Sequence, residues 1–223
     1  MPIFKHAGRL IYFAHVPKCA GTSVEDYLVR RLGPAAFLDR MHRQGRHSWN
    51  KTSPQHIGTA DLRRLFPDRF FDESFAIVRH PEARLRSAFA FARRLPRGVA
   101  AKADLAQWFA ANRDPASLAR PRFDNHFLPQ SEIVPPGARV FRLEDGLDAL
   151  VAYIDGLVGA SAPEITIAHS NRGKRPYLAP IDDETRAMIE ETYAADYDRF
   201  GYTRGAPPAP AKPPAEAEEA SAP

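Results

Sequence analysis

Residues 15–23 read His-Val-Pro-Lys-Cys-Ala-Gly-Thr-Ser and lie between a buried apolar run and a helical pattern. Backbone N–H groups at a helix start have no intrahelical partners and lie at the positive end of the helix dipole. Ala20 and Gly21 are small enough for an oxyanion to approach the backbone, and Lys18 adds a mobile positive charge. We therefore expect a phosphate- or sulfate-binding loop. Its expected ligand-binding residues are Pro17, Lys18, Cys19, Ala20, Gly21, Thr22 and Ser23.

The loop is not a Walker A motif, which needs a glycine-rich loop that ends in Gly-Lys-Ser/Thr. Here Lys18 precedes Gly21 by three positions. The next apolar run ends at Val78 and is followed by Arg79, so the acid that would hold magnesium at this strand end is missing. We therefore expect metal-independent chemistry, in which lysine and arginine carry the positive charge.

A second pattern begins at Arg79 and places Ser87 eight residues further on, inside the next helix. A guanidinium can donate two hydrogen bonds to one phosphate. Pro81 suits the first turn of that helix, so Ser87 lies in the second turn and can reach the same group. With this motif alone, the preferred interpretation would be a surface cation at Arg79 and a helix filler at Ser87. Two such motifs, in this order and each at a strand-to-helix junction, favour a ligand site.

Together these motifs resemble those of the sulfotransferases that use 3′-phosphoadenosine-5′-phosphosulfate (PAPS). Pro-Lys-x-x-Gly-Thr-Ser after the first strand is similar to their 5′-phosphosulfate loop, and the pair Arg79 and Ser87 is similar to their 3′-phosphate site. The nearest similarity is to the carbohydrate sulfotransferases that include heparan sulfate 2-O-sulfotransferases and their bacterial relatives. The resemblance implies an enzyme that transfers a sulfuryl group from PAPS to an acceptor hydroxyl, expected on a carbohydrate. It implies neither a metal nor a nucleic acid as a partner.

Weaker matches extend the resemblance along the chain. Residues 142–145 resemble the family's strand-to-helix step, which implies a structural role for Glu144. Residues 171–177 resemble the family's basic loop over the nucleotide, which makes Arg172 and Lys174 candidate nucleotide contacts. A solvated basic loop is the alternative interpretation of that segment.

The catalytic candidates follow from what sulfuryl transfer demands, namely charge stabilisation and removal of a proton from the acceptor hydroxyl. Lys18 is the candidate that neutralises the departing 5′-phosphate. The family places a catalytic histidine or glutamate between its phosphate motifs, and His56 matches that order, so we expect it to be the base. His15 could contact the phosphates and His126 could line the acceptor side, although structural roles fit both equally. His80 is assigned to structure, and three further histidines, His42, His47 and His169, stay unassigned.

Cys19 admits two interpretations. A helix start and a neighbouring lysine both favour the thiolate form of a cysteine, so a catalytic thiolate is one of them. The resemblance implies instead a spacer within the loop, which we favour. Cys19 is also the only cysteine in the chain, which excludes an internal disulfide and predicts a reducing, cytoplasmic location.

Short apolar runs alternate with helical patterns, which predicts a mainly parallel sheet covered on both faces. The expected strands are residues 10–14, 74–78 and 139–143. The expected helices begin near Thr22 (with a Thr22–Glu25 capping box), Pro81, Asp104, Leu147 and Asp182, and the last ends before Gly201. The resemblance implies a three-layer α/β sandwich related to P-loop nucleotide kinases. We expect one domain over residues 1–205, folded from about residue 7, and a disordered Pro/Ala/Glu-rich tail over residues 206–223.

The 223-residue chain has a globular composition, with 44% hydrophobic and 26% charged residues. No apolar run approaches the roughly 20 residues of a membrane span.

The formal net charge is +4, and residues 79–97 hold six arginines against one acid, Glu82. Such a cluster suits phosphates, sulfates, nucleic acids or acidic glycans, or it forms a solvated basic face. Basic and aromatic residues make the segments 37–72 and 93–122 candidates for an acceptor cleft, without any known nucleic-acid-binding motif.

Two other functions remain open at this stage. A nucleotide kinase with a deviant phosphate loop would hydrolyse ATP with magnesium and would not respond to PAPS. A non-catalytic anion- or glycan-binding module on the same fold would bind nucleotide without turnover.

Overall fold

The computed structural model describes residues 1–42, 51–159, 167 and 180–206. Its sheet has four strands, which are β1 (Ile3–His6), β2 (Arg9–Ala14), β3 (Glu73–Val78) and β4 (Arg139–Arg142). The strand order is β1-β2-β3-β4. The β1–β2 pair is antiparallel and the other two pairs are parallel.

Eight α-helices accompany the sheet in the part of the chain described. They are α1 (Gly21–Leu32), α2 (Thr59–Leu65), α3 (Pro81–Ala92), α4 (Leu105–Asn112), α5 (Pro115–Leu118), α6 (Asp148–Val158), α7 (Asp183–Thr192) and α8 (Ala194–Phe200). Short 3₁₀ turns at Pro54–His56, Pro121–Phe123, Gln130–Glu132 and Leu143–Asp145 lie between them.

The central strands are buried on both faces, as their continuous apolar sequences predict. Phe13 of β2 stacks on Phe75 of β3 at 5.1 Å between ring centroids, and Phe75 contacts Tyr153 of α6 at 5.7 Å. Tyr12 points to the opposite face, because strand side chains alternate, and stacks on Phe71 at 4.9 Å. The α/β class is therefore confirmed, with two of the three strand pairs parallel, whereas kinship with P-loop kinases stays a prediction.

The first strand was not expected, and the prediction that folding begins near residue 7 is wrong. Met1 and Phe4 are fully buried, and β1 forms a hairpin with β2. The turn consists of Ala7 and Gly8, both at positive φ (47° and 79°), which matches the backbone twist that a two-residue hairpin needs. A turn of this sequence is less recognisable than Asn-Gly, so the local signal was weak.

The predicted capping box at the start of α1 is also wrong. The helix begins at Gly21, and its N-cap Ala20 is left-handed (φ 62°) with no side-chain cap. Glu25 does not reach back to the helix start, because its carboxylate contacts His15 Nδ1 at 2.5 Å. A long-range side-chain contact has therefore replaced the local one.

The predicted last helix is two helices, α7 and α8, separated at Tyr193. Asp182 caps α7 as expected, by accepting a hydrogen bond from Thr185 N at 2.8 Å. The break lets the Tyr193 hydroxyl donate to Phe127 O at 2.9 Å. It also lets Asp196 of α8 accept from Gln130 N at 2.8 Å, so the C-terminal helices hold the segment around residues 124–134 in place.

Two apolar clusters support these elements. The sheet core joins the strands to α1, α2 and α6, and the helical core joins α3, α4, α5, α7 and α8. The segment 123–134 contributes to both, with Phe123 and Phe127 in the helical core and Ile133 and Val134 in the sheet core. Residues 207–223 lie outside the described residues, so the expectation for the tail stays a prediction.

Candidate active site

The loop between β2 and α1 has an unusual backbone. Lys18 and Ala20 both adopt the left-handed conformation, with φ 71° and 62°. This conformation costs about 1–2 kcal/mol for a residue with a side chain, so it persists only where the surroundings impose it. Strained turns of this kind concentrate at functional sites, which agrees with the ligand-binding role predicted for the loop.

Cys19 fixes the loop to the protein interior. Its side chain is fully buried, with Sγ 3.5 Å from Gln130 Oε1. Burial raises the pKa of the Cys19 thiol to about 12. The neutral, fully buried thiol supports the spacer interpretation over a catalytic thiolate.

Gly21 is required for a reason that the sequence did not reveal. A Cβ atom on Gly21 would lie 1.8 Å from His15 Nε2. The space that we expected to admit an oxyanion beside this residue is therefore filled by the His15 imidazole. The buried His15 ring packs against the first turn of α1 and so supports the loop.

The two predicted phosphate motifs meet in space. Arg79 Nη1 donates a hydrogen bond to Lys18 O at 3.4 Å, which places the end of β3 beside the loop after β2. The buried side chain of Gln130 fixes the Arg79 backbone, because Oε1 accepts from Arg79 N at 2.9 Å and Nε2 donates to Arg79 O at 2.8 Å. Sequence reasoning missed Gln130, whose partner is 51 positions away.

Glu144 stabilises the next junction, which agrees with its expected structural role. Its carboxylate accepts from His80 N at 2.9 Å and from the Tyr202 hydroxyl at 3.1 Å. These bonds tie the start of α3 to the step after β4 and to the end of the described C-terminal segment.

Ser87 lies on the side of α3 that faces the loop. Phe91, one helical turn further on, has its ring centroid 4.3 Å from Lys18 Nζ. Residues four apart on a helix share a face, so Ser87 is presented towards the same region as Lys18. The structure thus brings Lys18 and Arg79 together, and helix periodicity puts Ser87 on the face of α3 that carries Phe91.

Positive charge is concentrated at Lys18. Burial lowers its pKa to about 8, and repulsion from Arg79 and Arg94 adds to the shift. An anion bound here would relieve that repulsion and would replace the hydration that the ammonium has lost. The residues present therefore fit a phosphorylated or sulfated ligand.

His56 is held by a carboxylate that sequence reasoning did not identify. His56 Nδ1 lies 2.8 Å from Asp124 Oδ2, and Ser53 Oγ donates to the same carboxylate oxygen at 2.8 Å. Burial alone would raise the pKa of Asp124, but the hydrogen bond and the charge of His56, together with the Ser53 amide, hold it well below its usual range. In the neutral form of His56, ionised Asp124 accepts the Nδ1 proton, so the lone pair of the ring lies on Nε2.

Two further histidines pack around His56. Ring centroids lie 4.7 Å apart for His15 and His56, and 5.2 Å apart for His56 and His126. The His126 ring also contacts Phe91 at 4.9 Å, on the helix that contacts Lys18. A continuous line of ring contacts therefore connects the phosphate loop to His56.

His15 and His126 are neutral near pH 7. Burial lowers the pKa of His15 to about 4, although Glu25 partly opposes the shift. Burial and the charge of His56 lower the pKa of His126 well below its usual value. Both rings are therefore uncharged neighbours of His56, and neither is a strong base there.

For the remaining predicted site residues the structure gives burial alone or no description. Thr22 is exposed and Ser23 is buried in the first turn of α1, while Pro17 is buried before it. Arg172 and Lys174 lie outside the described residues, as do His47 and His169. Asp124 had one weak local signal, since residues 124–126 are polar between two buried phenylalanines.

Comparison with known proteins gives the family. The sequence profile of the sulfotransferase family matches residues 4–203, so the chain belongs to the sulfotransferase family. This membership supports sulfuryl transfer and confirms the coarser part of the resemblance read from the two motifs. No curated protein and no solved structure matches the chain significantly. No helix in the described part of the chain has the length and apolar character needed to cross a bilayer.

Proposed function

We propose that this protein transfers a sulfuryl group from PAPS to a hydroxyl of a carbohydrate acceptor. The observation that carries the proposal is the contact between Arg79 and the Lys18 carbonyl, because it joins the motif expected to bind the 5′-phosphosulfate to the motif expected to bind the 3′-phosphate. When bound, the nucleotide supplies the sulfuryl group. The same proposal includes a relation to the heparan sulfate 2-O-sulfotransferase group and a cytoplasmic location.

The donor side of the site is assigned to the loop and to α3. Lys18 and the backbone of residues 17–23 bind the 5′-phosphosulfate, while Arg79 and Ser87 bind the 3′-phosphate. Arg172 and Lys174 stay candidate contacts to the nucleotide on the grounds of the resemblance alone. The two anionic groups of the ligand match the concentration of positive charge at Lys18.

On the acceptor side, His56 removes the proton from the attacking hydroxyl at Nε2 while the new oxygen–sulfur bond forms. Asp124 holds the ring through Nδ1 and stabilises the imidazolium that results. Lys18 neutralises the phosphate oxygen that keeps the electron pair of the broken bond. No step assigned to these residues requires a metal ion.

The nucleotide proposal is tested by calorimetric titration with 3′-phosphoadenosine-5′-phosphate, adenosine 5′-monophosphate and ATP with magnesium. We expect the bisphosphate to bind most tightly. Arg79→Ala should weaken its binding about 10–100-fold, since a charge-assisted hydrogen bond contributes about 1.5–3 kcal/mol. Binding of the monophosphate should weaken much less, through the lost contact of Arg79 with the Lys18 carbonyl alone. Arg64→Ala is the matched control, because that side chain is 82% exposed and pairs only locally with Asp61 in the described structure.

Equal losses for both nucleotides in Arg79→Ala would contradict the assignment of the 3′-phosphate site. Preference for ATP, with magnesium-dependent hydrolysis, would favour the kinase. Transfer of radiolabelled sulfate from PAPS to a panel of saccharides then separates an enzyme from a binding module, which would bind the bisphosphate without turnover.

A further inference from the structure

Two consecutive residues of the segment 123–134 have a left-handed backbone. Asp124 and Asn125 have φ angles of 51° and 58°, in a conformation that residues with a side chain seldom adopt. Asparagine and aspartate enter it more readily than other such residues, but two in succession persist only where the surroundings impose them. Both side chains bond to residues 53–56, which carry the proposed base.

The two side chains hold different parts of His56. Asp124 Oδ2 lies 2.8 Å from His56 Nδ1, and Asp124 Oδ1 accepts from Ser53 N at 2.5 Å. Asn125 Nδ2 donates to His56 O at 2.8 Å, and this hydrogen bond is buried. Asp124 therefore holds the ring of His56, while Asn125 holds its main chain.

The main-chain contact matters because a hydrogen bond to the ring alone does not fix where a base lies. The ring of His56 can keep its bond to Asp124 while the backbone that carries it shifts. Proton transfer needs the base within about 2.6–3.2 Å of the atom that loses the proton. A displacement of about 1 Å can cost about 100-fold in rate. The bond from Asn125 fixes the backbone position from which the side chain of His56 extends.

The segment that carries Asn125 is itself fixed by buried side chains from two other parts of the fold. Arg84 of α3 donates to the carbonyl groups on either side of Phe127, at 3.0 and 2.5 Å. Tyr193, between α7 and α8, donates to Phe127 O at 2.9 Å. Three successive carbonyl groups are thus bonded directly after Asn125, so its amide extends from a rigid segment.

A left-handed turn alone does not explain the contact that Asn125 makes. An asparagine that serves only such a turn needs no partner outside the turn. The partner of Asn125 is 69 positions away in the sequence, and it is the residue assigned as the base. Glycine adopts the same backbone conformation without a side chain, so it can separate the turn from the hydrogen bond.

We propose that Asn125 is a positioning residue for the reaction, and that its side-chain amide holds the main chain of His56 so that Nε2 reaches the acceptor hydroxyl. This inference rests on the proposed function. In this assignment Asn125 contacts neither the donor nor the acceptor, and it acts only through His56.

The proposal is tested with Asn125→Gly, alone and in a His56→Ala background. Glycine removes the amide and relieves the left-handed strain, and these effects on stability oppose each other, so the melting temperature should change little. We expect kcat for sulfate transfer from PAPS to fall about 10–100-fold, with acceptor KM and bisphosphate affinity within about twofold. In His56→Ala the same change should alter the residual rate less than about twofold, because the group that Asn125 positions is already absent.

Asn112→Ala is the matched control. Asn112 Nδ2 also donates to a main-chain oxygen at 2.8 Å, but that oxygen belongs to Trp108 in the same helix, α4, so kcat should stay at the wild-type value. A wild-type kcat in Asn125→Gly would show that the asparagine serves only the turn and would overturn the proposal. An equal fold loss with and without His56 would also overturn it, since general structural damage gives that result.

A second measurement does not depend on activity. In protein labelled with ¹⁵N-histidine, the ring signals of His56 are identified by their loss in His56→Ala. We expect Asn125→Gly to shift and broaden these signals and Asn112→Ala to leave them in place, whereas unchanged signals in Asn125→Gly would refute the positioning role. This spectrum also decides the matter if the residual rate of His56→Ala is too low to compare. If the wild type transfers no sulfate but the signals respond to Asn125→Gly, the proposed function fails and the hold of Asn125 on His56 stands.

Discussion

At the scale of single residues, the site depends on how burial changes charged and titratable groups. Lys18 is a lysine whose ammonium has lost hydration and faces two arginines, and its pKa falls to about 8 as a result. His56 and His15 both have a carboxylate at Nδ1, Asp124 and Glu25. The Nε2 atom of His15 packs against Gly21, so His56 is the histidine proposed to accept a proton. Both effects come from neighbours that are distant in the sequence.

The shifted pKa of Lys18 predicts how bisphosphate affinity depends on pH. Anion binding favours the protonated ammonium, so affinity is full below about pH 8 and falls by up to tenfold per pH unit above it, as the free protein loses that proton. Titrations between pH 7 and 9.5, in buffers of different ionisation enthalpy, should show proton uptake on binding above pH 8. Lys18→Arg should bind without this dependence, because arginine stays charged. An unchanged affinity of wild type up to pH 9.5 would remove Lys18 from the ligand site.

Asp124 is predicted to position His56 rather than to bind the nucleotide. Asp124→Asn should lower kcat about 10²–10³-fold with bisphosphate affinity unchanged, since it removes the acceptor that selects the reactive tautomer. The loss should fall on kcat, with the KM of the acceptor and the melting temperature nearly unchanged, because the carboxylate orients the ring and binds no ligand. Ser53→Ala is the matched control, since it removes a neighbour of both Asp124 and His56 but leaves the contact between them. A fall in kcat that is matched by a fall in melting temperature would indicate a merely structural role.

At the scale of elements, the strand–loop–helix unit from β2 to α1 is the part of the fold proposed to bind the donor. The loop is held by Cys19 against Gln130, by His15 beneath Gly21, and by the Arg79 guanidinium on the Lys18 carbonyl. The helix start has no side-chain cap, so its first amide groups are not satisfied by an N-cap side chain. Such groups at the positive end of a helix are suited to an oxyanion.

The packing of this strand–loop–helix unit can be tested by adding a methyl group at Gly21. Gly21→Ala would place Cβ 1.8 Å from the His15 ring, and overpacking of this kind costs about 1–3 kcal/mol in the free energy of unfolding. We expect a lower melting temperature together with weaker bisphosphate binding, as the loop shifts. Gly156→Ala in α6 meets nothing within 4 Å and should stabilise the protein by about 0.5–1 kcal/mol without affecting binding. Equal melting temperatures for Gly21→Ala and Gly156→Ala would contradict the packing of His15 against Gly21.

At the scale of the whole molecule, the two apolar clusters are joined through the segment 123–134 and through Arg84. Arg84 is a buried cation of α3 that donates to His126 O and Leu128 O. The segment carries Asp124 and Gln130, so the residues that position the base and the donor site lie where the clusters meet. We therefore expect the clusters to unfold together.

Cooperative unfolding is testable with Phe4→Ala in a Trp49→Phe background, which leaves Trp108 as the only tryptophan. Phe4 is fully buried in the sheet core, and its truncation should cost about 3–5 kcal/mol. Trp108 packs against Phe127 at 4.7 Å in the helical core. Its fluorescence transition in urea should shift as far as the far-ultraviolet circular dichroism transition.

Phe70→Ala provides the control, since that ring is 42% exposed and its loss should cost much less. A Trp108 transition that stays at its original urea concentration in Phe4→Ala would show that the two clusters unfold independently.

The sequence by itself determined the α/β class and most strand and helix positions, and it predicted the two anion-binding motifs with Lys18, Arg79 and Ser87. Those features depend on local periodicity and on residue types within a few positions of one another, which a single sequence records. The tertiary structure alone decided that Asp124 partners His56, that Gln130 holds Arg79, and that His15 fills the space beside Gly21. These contacts join residues up to 68 positions apart, and they form only when the chain closes over the sheet and burial selects which polar groups meet.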